Sequence, residues 1–411
     1  MTTSMSVEAE ILSLGAQGDG VTADGVFVPF ALPGERVRIS PIGHRATIER
    51  QLSEAAERQP APCAHFGQCG GCVLQHASDA LVADWKHDLV ARALAARGFD
   101  DVEIRPIVTV PEGSRRRVTL TGRRSKKGAV VGFHAAGSDQ IVPISDCAVA
   151  VPEILSIRPK LEELVTTGAS RKGEVRLTVT VSDSGLDVAV TGGKPVEGPM
   201  YGQLVAVAAT SDMARLCWND EDVVTRRPPE QTIGRARVVP PPGGFLQPTR
   251  EGAEALTEAM REAIGPAKSI ADLFAGSGTF SLPLAEQADV WAVEGEAGAI
   301  AALDAGWRMA EGLRRVRTEV RDLFHRPLLA RECEKLEAVV FDPPRQGARA
   351  QVEQLALSEI PRIGTVSCNP ATFARDARIL VEGGYRLDWV LPIDQFRWSH
   401  HVELAAQFSR A

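Results

Sequence analysis

The feature that most restricts this chain is an apolar stretch that breaks into glycines and resumes as a helical pattern. Residues 270–273 are apolar apart from Asp272, Gly276 and Gly278 follow, and a helix is predicted from about Thr279 onward. A strand, a tight turn and a helix satisfy this order. Glycine lets the turn form and lets the backbone come close to a ligand. Around it the pattern alternates. A helix is predicted over 250–264, and apolar strands over 269–273, 289–293, 338–341 and 363–367, separated by helical stretches. That rhythm predicts an α/β unit with a doubly wound parallel sheet. In such sheets a Gly-rich turn after the first strand meets a nucleotide-like ligand, and a carboxylate about 20 residues on takes the ribose hydroxyls. Glu294, after the second strand, is that carboxylate here. The third glycine of the dinucleotide fingerprint is replaced by Ser281, which disfavours a pyrophosphate and leaves S-adenosylmethionine ahead of NAD.

The rest of the chain reads differently. Residues 6–50 carry short apolar runs between Gly, Asp and Pro turns, which suits a small β-barrel. Residues 54–62 read as a linker. A helix follows over 80–97, then strands over 117–120, 129–133, 175–181 and 186–190, with one helical stretch over 152–166. The run Pro240, Pro241, Pro242, Gly243, Gly244 marks a boundary. No apolar run reaches the roughly 18–20 residues of a membrane span, and Met1–Glu10 lacks the basic and apolar regions of a secretory leader. A cytoplasmic protein is expected.

Net charge is −7, so bulk charge would not hold this chain on a polyanion. A local basic surface remains open at Arg115, Arg116, Arg117, Arg123, Arg124, Lys126 and Lys127, as does a solvated hairpin. Three of the seven cysteines, Cys63, Cys69 and Cys72, are crowded, which in a cytosolic chain suggests metal ligation rather than disulfides. Cys217 and Cys333 carry no assigned role.

Two further loops bear chemistry. Asp342, Pro343 and Pro344 follow an apolar strand, so Asp342 belongs at the carboxyl edge of the sheet. Cys368, with Asn369 and Pro370 after it, repeats the arrangement on the next strand. A thiol at that edge, beside a cofactor loop, fits a nucleophile better than a packing residue.

These residues resemble the RNA uracil-C5 methyltransferases over essentially the whole chain. The resemblance rests on Asp342, Pro343, Pro344, Arg345 and Gly347, on Ser367, Cys368, Asn369 and Pro370, and on His401, Val402 and Glu403. Near the N-terminus the chain is similar to the family's OB-like TRAM barrel. Cys63, Cys69 and Cys72, with Cys147 later, resemble the iron–sulfur subset that methylates 23S ribosomal RNA. Phe245, Leu246 and Gln247 resemble the motif that opens its catalytic domain.

The resemblance implies Cys368 as nucleophile and Glu403 as base. It implies Gln247, Phe274, Gly276, Gly278, Thr279, Glu294, Asp322 and Asp342 around S-adenosylmethionine, and Phe245 stacked on a flipped uracil. It implies a four-iron cluster on Cys63, Cys69, Cys72 and Cys147; three close cysteines with a distant fourth also suit zinc, but the spacing favours iron–sulfur. The family's usual Cys, Asn, Asn and terminal D-M-F-P are here Ala275, Thr279, Asp322 and Asp394, Gln395, Phe396, Arg397. Three units are expected: a barrel over 1–56, a central mainly β domain over 57–243, whose helix 80–97 packs on the catalytic unit, and a Rossmann-like methyltransferase domain over 244–411. The expected partner is RNA, ribosomal rather than transfer, and the expected state is a monomer. Two other readings compete. An iron–sulfur redox protein would need a flavin or NAD fingerprint, which is missing. A non-enzymatic RNA-binding module would not need Cys368, Asp342 and Glu403 together.

Overall fold

The computed structural model describes residues 6–410. The first five positions of the segment read as leaderless, and of the unit 1–56, lie outside the described residues.

Five strands, β1 (Val7–Leu14), β2 (Gly20–Thr22), β3 (Phe27–Val28), β4 (Arg36–Ile42) and β5 (Arg45–Gln51), close into a barrel. Alternating inward residues, among them Ile11, Val28, Val37 and Ile39, fill it. Buried Glu35, bonded to Arg58, caps the turn at Leu32 through its carboxylate. The cysteine loop follows and leads into α1 (Asp79–Ala95), whose N-terminus is capped by the Ser78 hydroxyl accepting from the Leu81 N–H. Two short strands, β6 (Glu103–Ile104) and β7 (Val108–Thr109), then run to the edge of the C-terminal sheet.

The central sheet has the order β10-β9-β8-β11-β12-β13-β14. Its members are β8 (Arg117–Arg124), β9 (Ala129–His134), β10 (Ile141–Pro143), β11 (Glu174–Ser182), β12 (Gly185–Thr191), β13 (Met213–Trp218) and β14 (Glu221–Thr225). One face is covered by α2 (Pro152–Ser156), α3 (Arg158–Gly168) and α4 (Pro199–Ala209). The single helix read over 152–166 is two, parted at Ile157. Pro159 has no N–H, and its ring clashes with the carbonyl of Leu155. The pattern over α4, rich in Val and Ala, gave no helical reading; packing of Leu204, Val207 and Ala208 on the sheet decides it. A hairpin, β15 (Gln231–Ile233) and β16 (Ala236–Val238), leads on.

The last sheet runs β19-β18-β17-β20-β21-β23-β22-β6. It comprises β17 (Ser269–Leu273), β18 (Asp289–Glu294), β19 (Val316–Val320), β20 (Ala338–Phe341), β21 (Arg362–Ser367), β22 (Arg386–Asp394) and β23 (Glu403–Ser409). The helices α5 (Arg250–Ile264), α6 (Ser281–Leu284), α7 (Ala297–Met309), α8 (Arg349–Ala356) and α9 (Pro370–Glu382) connect or cover them. Strands β17 to β21 are parallel; β23 is antiparallel to both its neighbours. The order reverses at β17, which has β18 on one side and β20 on the other. Loops from β17 and β20 therefore diverge, and a crevice opens at their carboxyl ends.

Alternate residues feed two layers. Ala271, Leu273, Val339 and Phe341 pack with α8 and α9, and with Val90 and Leu94 of α1. Ile270, Ala338 and Val340 pack with α5 and α7. Each fully buried aliphatic chain stabilises this arrangement by about 1.5–3 kcal/mol.

Candidate active site

The Gly-rich turn after β17 is shaped by backbone that only glycine adopts easily. Gly276 and Gly278 have φ of 54° and 97°, and a Cβ on Gly278 would lie 2.9 Å from Leu282. Phe274 also has a positive φ, 60°, and its ring leans on Phe324 at 5.4 Å. Glu294, at the end of β18, accepts from the Gly276 N–H at 3.0 Å and the Glu296 N–H at 2.8 Å. Its carboxylate is thereby held at the mouth of the turn. Asp322 follows β19; it accepts from the Phe324 N–H and contacts the His325 ring, and it is exposed. Thr279 lies on the far side of the turn, where it lines a separate cavity of about 410 Å³ with Leu246, Arg116 and Arg250.

Register brings the reactive groups together. Leu273 pairs with Phe341 and Phe341 with Thr365, so Phe274, Asp342 and the segment leading to Cys368 leave the sheet at one level. Ser367 pairs with Leu404 across the antiparallel step, and one residue further Cys368 comes opposite Glu403. Cys368 is half-buried, while Glu403 is almost wholly buried.

Charge in this corner is negative. Burial, then the nearness of Glu403 and Asp342, pushes the Cys368 thiol up to about 11, with Arg345 opposing. Burial and mutual repulsion also raise the carboxyls of Asp342 and Glu403. Asp272, beneath the turn, is raised by burial to about 7 while its carboxylate accepts from the Ser281 hydroxyl at 2.5 Å. A cation entering this pocket gains from all of these groups.

Gln247 is buried and donates to Asp342 at 3.2 Å; Phe245, two residues earlier, is 60% exposed at the rim. The motif is held from the central sheet. Arg116 donates to the Gln247 carbonyl, and Arg117 to the carbonyls of Gly243 and Gly244. Neither the solvated hairpin nor the basic surface therefore includes these two arginines. Arg116 is buried, whereas Arg123, Lys126 and Lys127 are exposed.

Cys63, Cys69, Cys72 and Cys147 line one cavity of about 390 Å³, together with His65, Arg115, Phe396, His400 and His401. All four are free thiols, and each of Cys69, Cys72 and Cys147 has its proton affinity raised by burial and by other members of the set. Among the described residues, no group of three or more His, Cys, Asp or Glu side chains is arranged to hold a metal ion. The donor chemistry fits a thiolate-bound cluster; the positions as they stand do not enclose one. The cavity borders the catalytic corner, because Val73 and Leu74 donate to the Trp398 carbonyl in the loop before Glu403. Cys217 and Cys333 are buried in hydrophobic surroundings.

Three features escaped the sequence reading: Gln395 beside Glu403, Arg116 behind Gln247, and the buried pair Lys86–Asp394. Lys86 falls on the apolar stripe of its helix, among Val82, Trp85 and Val90, and a lysine there was the available signal.

The chain matches, with a TM-score of 0.76 and 22% identity, the crystal structure of Pyrococcus abyssi tRNA (uracil-54, C5)-methyltransferase in complex with S-adenosyl-L-homocysteine. The alignment covers 98% of this chain and 99% of that one. Fold and Gly-rich crevice together define the class of S-adenosylmethionine-dependent methyltransferases. The family model described as tRNA (Uracil-5-)-methyltransferase matches residues 239–411. An uncharacterised RNA methyltransferase of Brucella suis is 43% identical over all of this chain and 99% of that protein. The 23S rRNA (uracil(1939)-C(5))-methyltransferase RlmD of Halomonas elongata is 32% identical, over 96% of this chain and 88% of that protein. The chain belongs to the RNA uracil-C5 methyltransferase family and is an S-adenosylmethionine-dependent enzyme acting on RNA. Among the described residues no helix is long and apolar enough to cross a membrane.

Proposed function

We propose that this enzyme methylates C5 of a uracil in 23S ribosomal RNA, with Cys368 as covalent nucleophile and Glu403 as base. The observation that carries the reading is the meeting of Cys368, Glu403 and Asp342 at one sheet edge beside the Gly-rich turn. The ribosomal substrate is supported by the likeness to the Halomonas elongata enzyme.

The Cys368 sulfur, as thiolate, adds to C6 of the uracil. The C5–C6 π pair moves onto C5 and O4, and Asp342 faces the resulting enolate from the neighbouring loop. S-adenosylmethionine supplies the methyl group and leaves as its neutral thioether. C5 takes that methyl while keeping its own hydrogen. Glu403 then removes the C5 proton, the C5–C6 double bond re-forms, and the C6–S bond breaks to return the Cys368 thiolate. A base within folded RNA has to swing out to reach Cys368; exposed Phe245 offers a ring for it to stack on.

The sulfonium of S-adenosylmethionine is met by Glu294, Asp322, Asp342 and Gln247, with Phe274, Gly276, Gly278 and Thr279 forming the turn beside it. Cys63, Cys69, Cys72 and Cys147 would hold a [4Fe–4S] cluster; four thiolates leave it no open position, so it supplies structure. Units over 1–56, 57–243 and 244–411 divide RNA grip, cluster and catalysis in a cytoplasmic monomer. Mapping 5-methyluridine in 23S and transfer RNA from a strain lacking the gene tests this. Loss of one 23S site is expected; loss only from transfer RNA overturns the ribosomal assignment.

A further inference from the structure

Two amide side chains link the two acids of the active site. Gln395 Nε2 donates to Gln247 Oε1 at 2.7 Å, and Gln247 Nε2 donates to Asp342 Oδ2 at 3.2 Å. The Gln395 amide is also hydrogen-bonded to Glu403. The polarity is consistent along the chain. Each carboxylate receives an N–H, and reversing either amide would set a carbonyl oxygen against a carboxylate. Both glutamines are almost completely buried, so water does not compete for these bonds.

Gln395 is itself firmly placed. It follows Asp394, which is buried against Lys86 of α1 and accepts from the Phe396 N–H. It also packs closely on Gly252, where an added Cβ would lie 2.5 Å from Gln395 Oε1. The sequence supplies an independent observation. The chain has Gln395 where the family's terminal motif usually carries methionine, a side chain without an N–H.

We propose that Gln395 is a positioning residue that orients Glu403 and keeps it available as a base. The proposal rests on the reading of Glu403 as the group that removes the C5 proton. Physically, Glu403 is buried close to Asp342, and both factors favour its protonated form. A protonated Glu403 cannot take a proton. An N–H aimed at its carboxylate is the one local contact that favours the ionised form. Through Gln247 the same amide chain steadies Asp342, so the two acids do not simply exchange one proton between them. The other charged or titratable groups around this corner are Cys368 and Arg345 from the neighbouring loops and the Lys86–Asp394 pair behind Gln395.

The test uses the full chain, a uracil-containing RNA substrate and labelled S-adenosylmethionine. Gln395→Met should shift the rising limb of the turnover–pH profile upward by about one to two pH units, the size expected for a lost hydrogen bond to a buried carboxylate. Turnover should recover above the displaced limb. At neutral pH a methylated protein–RNA adduct that survives denaturation should accumulate. A profile lowered equally at every pH, with no adduct, would mean a structural role and overturn the proposal. Should the methionine variant not fold, Gln395→Asn, which keeps the amide but withdraws it by one methylene, carries the same expectation. Glu403→Gln separates the two levels. If the limb persists in that variant, Glu403 is not the base and the underlying reading fails. If the limb vanishes there but stays in place in Gln395→Met, only the role of Gln395 fails.

Discussion

Cys368 and Glu403 stand opposite each other at the open end of the β21–β23 pair, one residue beyond Ser367 and Leu404. A nucleophile and a carboxylate 35 positions apart in sequence are thereby held in one register, on two central strands that cannot slip without exposing Val366 and Leu404. Their loss should have different consequences. Cys368→Ala should form neither adduct nor 5-methyluridine, because no bond to C6 forms. Glu403→Gln should add to C6, transfer the methyl and stall, leaving about one labelled methyl per enzyme in a denaturant-resistant complex. Denaturing gel electrophoresis with labelled cofactor distinguishes them, and normal turnover by Glu403→Gln removes the base assignment.

The thiol of the free enzyme should be unreactive at neutral pH. Its value of about 11 lies above that of an ordinary cysteine, so the thiolate fraction at pH 7 is on the order of one in ten thousand. The shift is upward, so alkylation should accelerate as pH rises and level off only near 11. Arg345 opposes the shift, and Arg345→Ala should slow labelling further at any given pH. Mass spectrometry of the Cys368 peptide after iodoacetamide pulses measures this. Rapid labelling at pH 7 with a plateau below 9 would contradict it.

Glu294→Ala should weaken S-adenosylmethionine binding roughly 10- to 100-fold, from the loss of two charge-assisted hydrogen bonds to the ribose. The same change removes the acceptor for the Gly276 and Glu296 N–H groups, which loosens the turn. Calorimetry reads the affinity, and an unchanged value excludes the ribose role.

Lys86→Ala should be strongly destabilising. It leaves the Asp394 carboxylate buried without its ammonium, a loss of about 3–5 kcal/mol when one member of a buried pair is removed. Lys86→Met together with Asp394→Leu should recover much of that stability while still failing in turnover, because Asp394 also fixes the backbone at Phe396 beside Gln395. Thermal melts paired with turnover measurements separate the two effects.

Anaerobic purification should give a brown protein with about four iron atoms per chain, as expected for a cluster on four thiolates. Serine replacement of Cys72 should abolish the colour. Stoichiometric zinc without iron would overturn the cluster.

Local rules carried far in the C-terminal part. Ser269–Leu273 and Ala338–Phe341 are apolar runs between breakers, and Arg250–Ile264 has a helical stripe between Thr249 and Gly265, which cap it. They were legible because burial on both faces of a parallel sheet forces continuous apolar strands. Val316–Val320 was not, since it is an edge strand and alternates with Arg317 and Glu319. The final strands also escaped: Arg386–Asp394 mixes Asp388, Trp389 and Pro392, and its pairing is fixed by partners elsewhere in the chain.

The sequence by itself determined which groups are present: a Gly-rich turn after a strand, an acid after the next strand, a thiol and an aspartate each in a loop that follows an apolar strand, and four cysteines. These follow from composition and local period, which neighbouring residues decide among themselves. Only the tertiary structure decided which groups meet. The insertion of β23 between β21 and β22 sets Cys368 against Glu403, and the docking of α1 buries Lys86 on Asp394. Arg116 was read as part of a charge run, yet it is buried behind Gln247, and Gln395 was read as a departure from a motif, yet it joins two acids. Such pairings depend on contacts between residues far apart in the chain, and burial then sets their charge states, so no local pattern in the sequence records them.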